Sequence, residues 1–414
     1  MKILFLCHRL PYPPKRGGKI RPFNMIRHLG RRHEVTVATV ARSAAEVAEG
    51  RELRGYCHDL HVARIPAAAA WSRFGLYTAS SYPATFGYFY SPALDRTVRG
   101  LLSTRDFEAI LVHCSSMGPY VAGHRGCRKI LDYGDADSEK WLEYARSSAF
   151  PLSLGFRLEG RKVRRYERWL AEGFDACSVN APREREILGQ YVQKPIHVFP
   201  NGVDLDYFRP QRAGSEASAP LRVVFTGNMS YKPNVEAVTD FVSGILPRIW
   251  ARRPETEFYI VGMDPSPSVR RLADGRRIVV TGRVDDVRPY FNTAAVAVAP
   301  LRIARGLQNK VLEAMAMRLP VVASSAAFNG INAEAGRDLL VADDPESFSR
   351  AVLSLLEEAP RRERYAEAAR ACVERNHDWA QILDGLERVV TGESGPQTEL
   401  TRTGADSTGG PLGP

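Results

Sequence analysis

Lys310 and Glu313 stand three positions apart on a stretch whose apolar residues Val311, Leu312, Met315 and Ala316 recur at helical spacing. That stretch follows a turn at Gly306 and leads into the short buried run Pro320-Val321-Val322. The first backbone N–H groups of such a helix have no carbonyl partners, so the lysine, the carboxylate and the free amides could together serve a phosphate and a sugar hydroxyl. The same charges also suit an ordinary helix that turns them to water. A second set lies after Lys129-Ile130-Leu131, where Asp132, Asp135 and Asp137 fall within six residues. Carboxylates at that spacing could exchange protons, touch an acceptor or hold a cation, and Asp135, Asp137 or Ser138 could equally cap the next helix. A Ca²⁺-type loop needs more oxygen ligands at its own spacing. His113 closes the apolar run Ala109-Ile110-Leu111-Val112, at the strand end where open α/β sheets bind ligands, a place that a purely structural histidine also fits.

Strands and helices must alternate to hold these groups. Lys2 to Leu6 reads as a buried parallel strand, Gly17-Gly18 as a loop, Ile20, Phe23, Asn24, Ile26 and Leu29 as a helix ending at Gly30, and Glu34 to Val40 as the next strand. This βαβ unit predicts a parallel sheet, but the GxGxxG spacing of dinucleotide-binding folds is missing. Residues 67–92, rich in aromatics without clear period, read as loop and irregular helix. Apolar positions Val163, Tyr166, Leu170 and Phe174 predict a helix from Phe156 to Phe174 that carries Arg157, Arg161, Arg164, Arg165 and Arg168 on its other faces. Such a helix either docks by its apolar stripe or meets an anionic membrane, at roughly 1 kcal/mol per Lys or Arg near the surface. Ala176 to Val179 is expected as the last strand of the first half.

From Leu221 a second series begins, with strand runs at 222–227, 258–262, 278–282 and 295–300 and a helix from Asn234. The expected organisation is therefore an α/β domain over 1–200, a second over 201–375, a C-terminal helix over 376–390 returning to the first, and a disordered Gly/Ser/Thr/Pro tail over 391–414.

A chain of 414 residues can bury two cores. Its net charge of +10 draws anions: nucleic acid, membrane or phosphorylated small molecules. The arginines gather on one helix rather than on a contiguous basic face with stacking aromatics, which argues against nucleic acid. Six scattered cysteines lack metal or disulfide spacing, and the N-terminal apolar run is too short for a secretory signal, so a cytoplasmic protein with at most peripheral membrane contact is expected.

The order glycine, lysine, Glu-Ala-Met-Ala, Pro-Val-Val over 306–322 resembles the nucleotide-sugar segment of the retaining glycosyltransferases of family 4, which have the α/β GT-B fold of two Rossmann-like domains facing a cleft. That resemblance implies donor contacts from Gly17, Gly18, Gly227, Asn228, Arg283, Gly306, Leu307, Gln308, Asn309 and Glu313, with Glu313 on the ribose. It implies catalytic roles for His113, beside the donor sugar, and for Lys232 and Lys310, on the diphosphate. Two departures are visible: Arg305 replaces a glutamate eight positions before Glu313, and Asn228 falls near a usual arginine. Asp135 and Asp137 are candidate acceptor contacts. Transfer of this type needs neither metal nor cofactor in the expected mechanism, the lysines neutralising the leaving diphosphate. The start Leu10-Pro11-Tyr12-Pro13-Pro14, the 132–141 segment and Gln308-Asn309-Lys310 resemble the subgroup associated with exopolysaccharide and exosortase (PEP-CTERM) systems, implying a glycan or polyprenyl-linked acceptor at the inner leaflet. A nucleotide-sugar epimerase or hydrolase of the same fold is the alternative, distinguished by donor turnover without acceptor.

Overall fold

A computed structural model describes residues 1–14, 17–210, 221–304 and 306–393. Arg305, residues 211–220 and the tail from 394 onward lie outside the described residues, as do the expectations placed on them.

Short apolar runs form two parallel sheets. The first contains β1 (Lys2–Cys7), β2 (Glu34–Ala41), β3 (Asp59–Arg64), β4 (Ala109–His113), β5 (Arg128–Gly134), β6 (Ala176–Val179) and β7 (Ile196–Val198), in the order β3-β2-β1-β4-β5-β6-β7. The second contains β8 (Arg222–Thr226), β9 (Glu257–Val261), β10 (Ile278–Gly282), β11 (Val296–Ala299), β12 (Val321–Ala323) and β13 (Leu340–Val341), in the order β10-β9-β8-β11-β12-β13. Helices cover both faces of each sheet, so central strands such as Ile3-Leu4-Phe5-Leu6 are wholly buried. Each of those side chains stabilises by about 1.5–3 kcal/mol relative to exposure.

Strand order reverses beside β1 in one sheet and beside β8 in the other, and a crevice opens at the carboxyl ends of strands at such a point. His113 lies at the first of these points, level with Cys7 across the β1–β4 pairing. Gly227 follows β8 at the second.

After the second sheet the chain returns to the first. The helix Trp379–Thr391 buries Trp379, Leu383, Leu386 and Val390 in the core built on β1, β2 and the helix Gly17–Leu29. Glu387 accepts from His28 at 2.7 Å, His33 at 3.0 Å and Arg32 at 3.2 Å.

Several local expectations are corrected. Gly17 and Gly18 are the first turn of a helix, not a loop. Residues 67–92 form two regular helices, Ala67–Thr78 and Ala84–Phe89, because the alanine run favours helix and the aromatic rings pack on one another. Ile196–Val198 adds a strand beyond Val179. The basic helix runs over Leu152–Glu172 and ends before Gly173 and Phe174. Val163 and Leu170 are buried as expected, but Arg164 pairs with Glu139 and Arg165 donates to the Ser81 carbonyl at 2.9 Å. Arg157, Arg161 and Arg168 remain exposed. No helix among the described residues is long and apolar enough to cross a membrane.

Candidate active site

On the first half's side, the site is built on a buried charge network. Asp132 lies inside β5, not in the loop after it, and is fully buried. Arg21, from the second turn of the Gly17–Leu29 helix, donates to both its oxygens at 2.6 and 3.0 Å. Ser178 of β6 donates at 2.7 Å, and His113 Nδ1 stands 2.7 Å from Asp132 Oδ2. Burial alone would raise the Asp132 carboxyl, but the Arg21 charge and the His113 hydrogen bond outweigh it and hold it well below the ordinary carboxylate range. An ionised Asp132 can only accept, so His113 Nδ1–H donates to it, which leaves Nε2 as the ring's acceptor when the ring is neutral. Arg21 spends its remaining donor on the Phe199 carbonyl at 2.6 Å and on Asn201 at 3.3 Å.

The three aspartates therefore do not act together. Asp135 is exposed and accepts from Asn180 at 2.7 Å, whereas Asp137 accepts from Ser115 at 3.0 Å and is raised by burial. None of Asp135, Asp137 and Ser138 caps the helix Asp137–Ser147. Its free amides go instead to carboxylates from elsewhere: Ala136 N–H to Glu184 at 2.8 Å and Ser138 N–H to Glu167 at 3.1 Å. Burial pushes Glu167 up to about 7.

Across the cleft, Lys310 belongs to the helix Asn309–Ala316 and donates to Asn234 Oδ1 at 2.7 Å, with its ammonium 4.0 Å from the centre of the Phe225 ring. The turn after β8 passes directly beside it. A Cβ on Gly227 would lie 2.7 Å from Asn234 Nδ2 and 3.1 Å from Lys310 Nζ, and one on Gly262 would lie 1.7 Å from the Gly227 carbonyl oxygen, so glycine is required at both. Burial lowers Lys310 to about 7 and raises Glu313 to about 7, each partly offset by the other's charge. Glu313 is the fifth residue of its helix.

Asn228 cannot stand in for an arginine: its side-chain oxygen accepts from Ser230 N–H and Oγ, both at 2.8 Å, and closes the turn. Lys232 starts the helix Lys232–Asp240 with its ammonium in solvent, 3.7 Å from Glu236. Arg283 is exposed just after β10, and Gly18 is exposed. Gly17 opens the first helix. Gly306, at φ +61°, faces the other half, where a Cβ would lie 3.9 Å from Asp135. Gln308 Nε2 donates to the Gly306 carbonyl at 3.1 Å, Asn309 Oδ1 is buried without a partner, and Leu307 packs on the second core.

Arg21, Ser178, Asn180 and Asn234 were missed in the sequence. Arg21 left one signal, a cation on a helix face otherwise turned to the core.

Comparisons with known proteins agree with this architecture. Residues 16–207 match the model described as Glycosyltransferase Family 4, and residues 220–358 match Glycosyl transferases group 1. A lipopolysaccharide core biosynthesis mannosyltransferase, LpcC of Rhizobium leguminosarum bv. viciae, is 27% identical over 218 residues, 49% of this chain. The match spans 60% of that relative's length. Among solved structures, Anabaena HepE in complex with UDP and glucose aligns with TM-score 0.66 and 14% identity over 95% of this chain and 100% of its own. Sucrose-phosphate synthase from Thermosynechococcus elongatus aligns with TM-score 0.65 and 16% identity over 94% of this chain and 98% of its own. Two parallel sheets with their switch points across one cleft give this chain the GT-B fold, and each of its halves matches a glycosyltransferase family model.

Proposed function

We propose that the chain is a retaining transferase that moves a sugar from a nucleotide-sugar donor to a glycan precursor carried on a polyprenyl lipid, in exopolysaccharide synthesis of the PEP-CTERM type. The observation that carries the donor half of this reading is the Lys310, Asn234 and Gly227 cradle: a buried cation beside a backbone that nothing larger than glycine permits. A diphosphate fits such a cradle, and UDP accompanies the similarly folded HepE. Glu313 holds the ribose and His113 Nε2 meets a donor-sugar hydroxyl, while Asp135 and Asp137 face the acceptor. Lys310 carries the charge of the leaving group, with Lys232 swinging in from solvent.

The direct test is nucleoside diphosphate binding by titration calorimetry. Glu313→Ala removes charge-assisted hydrogen bonds of roughly 1.5–3 kcal/mol, so affinity is expected to fall about 10- to 150-fold. An unchanged dissociation constant would remove Glu313 from the site.

Metal independence is part of the proposal, because Lys310 and Lys232 supply the positive charge and Asp132, Asp135 and Asp137 each serve a separate partner. Transfer is expected to persist after exhaustive EDTA treatment. A loss that Mg²⁺ or Mn²⁺ restores refutes it.

A further inference from the structure

Cations gather on the first half's side of the cleft without matching carboxylates. Arg42, just after β2, lays its guanidinium over the rings of Tyr88 and Phe89, 4.2 and 5.2 Å from their centres. Both its terminal nitrogens are buried with no hydrogen-bond partner. His8, 5.1 Å from the Phe89 ring and 5.7 Å from the His113 ring, has its Nδ1 in the same condition. Arg9 stands 5.9 Å from the centre of the Phe89 ring. Burial lowers the Arg42 guanidinium, and the charges of Arg9 and Arg73 add to that against Tyr88 and Glu46. Burial likewise keeps His8 neutral, helped by His113, Arg9, Lys140 and Arg42. Glu46 is the acid at hand; it accepts from the Arg42 backbone N–H at 2.8 Å and pairs with Lys19 at 2.9 Å, and leaves the Arg42 terminal nitrogens without a carboxylate partner. Buried donors without acceptors cost free energy that an arriving anion returns.

From this spot a line of aromatic rings leads outward. Phe89 touches Tyr88 and Tyr88 touches Trp71, both at 5.1 Å between ring centres. Trp71 is 5.5 Å from Phe74, Phe74 6.5 Å from Trp141, and Trp141 5.7 Å from Phe156. Phe156 belongs to the helix whose first turns expose Leu152 and Leu154, preceded by Phe150 at 80% exposure. Arg157 and Arg161 stand exposed on the same helix.

We propose that Arg42, with Arg9 and Arg73 around it and Lys140 near His8, is an acceptor-side phosphate site separate from the donor cradle, and that its ligand is a polyisoprenyl phosphate. The hydrocarbon runs along the ring line from Tyr88 to Phe156, and the apolar tip at Phe150, Leu152 and Leu154 enters the lipid that carries it. This rests on the lipid-linked acceptor reading above and names the group by which that acceptor is held.

The test uses the full chain and three probes: undecaprenyl phosphate in phosphatidylcholine nanodiscs, undecaprenol in the same nanodiscs, and glucose 1-phosphate in solution. UDP binding serves as the donor-side control. Wild type is expected to bind the phosphate nanodiscs well above the alcohol nanodiscs. Arg42→Gln should weaken that binding about 10- to 150-fold, with Arg42→Lys in between. The Leu152→Ser/Leu154→Ser double variant should weaken it too, and all three variants should bind UDP like wild type. Equal binding of phosphate and alcohol, or wild-type binding by Arg42→Gln, overturns the phosphate site. Glucose 1-phosphate binding that depends on Arg42, with nanodisc binding indifferent to the Leu152/Leu154 change, overturns the lipid and leaves a soluble phosphorylated acceptor. Failure of wild type to bind UDP would count against the donor reading alone.

Discussion

Lys310→Ala is expected to lower the release of nucleoside diphosphate at saturating donor by about 10²–10³-fold, the usual effect of removing one preorganised group from developing negative charge. Lys232 adds to the charge of Lys310 in the proposed site but does not occupy its fixed position. The Lys310 ammonium is fixed by Asn234 at 2.7 Å and by the Phe225 ring, while Lys232 lies in solvent beside Glu236. A pH signature separates a charge role from a packing role. Burial has lowered Lys310 to about 7, so the unliganded site loses positive charge as pH rises through that value. A bound diphosphate favours the ammonium, so binding should take up more of a proton at pH 8 than at pH 6, when Lys310 is already charged. Glu313, raised to about 7, ionises over the same range and favours the ammonium in turn. Calorimetry in buffers of different ionisation enthalpy reads this uptake, and Lys310→Ala should remove most of it. Turnover within about threefold of wild type would end the assignment.

Asp132→Ala is expected to cost about 3–5 kcal/mol of stability, because it leaves the Arg21 guanidinium buried without its carboxylate. At about 2–4 °C per kcal/mol for units of this size, the thermal midpoint should fall by about 6–20 °C at pH 7. Since the folded carboxyl titrates below its ordinary value, its contribution is complete above about pH 4 and is lost as pH falls through the folded value. The gap between wild type and variant should therefore be flat from pH 7 down to about pH 5 and close only in stronger acid. Arg21→Ala/Asp132→Ala should be less destabilised than the sum of the single changes. A midpoint shift under about 2 °C in Asp132→Ala would mean that the network is not a structural support for His113.

Local pattern was enough to read the parallel strands around β1, β4 and β8, the helix bearing Lys310 and Glu313, and the α/β class itself. A buried parallel strand is a continuous apolar run, and a docked helix has a 3.6-residue stripe; both are properties of neighbouring residues. The partner of a buried charge is not. Arg21 and Asp132 are 111 positions apart, and no spacing rule says that they meet, or that the meeting fixes the His113 ring. The same limit applies to the helix Asp137–Ser147, whose adjacent aspartates looked like caps while Glu184 and Glu167, 48 and 29 positions from the amides they accept, do that work. Asn228 illustrates it at short range, since whether its amide reaches a ligand or closes its own turn depends on the backbone path after β8. What the sequence determined was thus which segments bury themselves and in what order. The tertiary structure alone decided which buried charges are paired and which, like Arg42, are left waiting for one, because electrostatic partnership in a low-dielectric interior depends on distance in space and not along the chain.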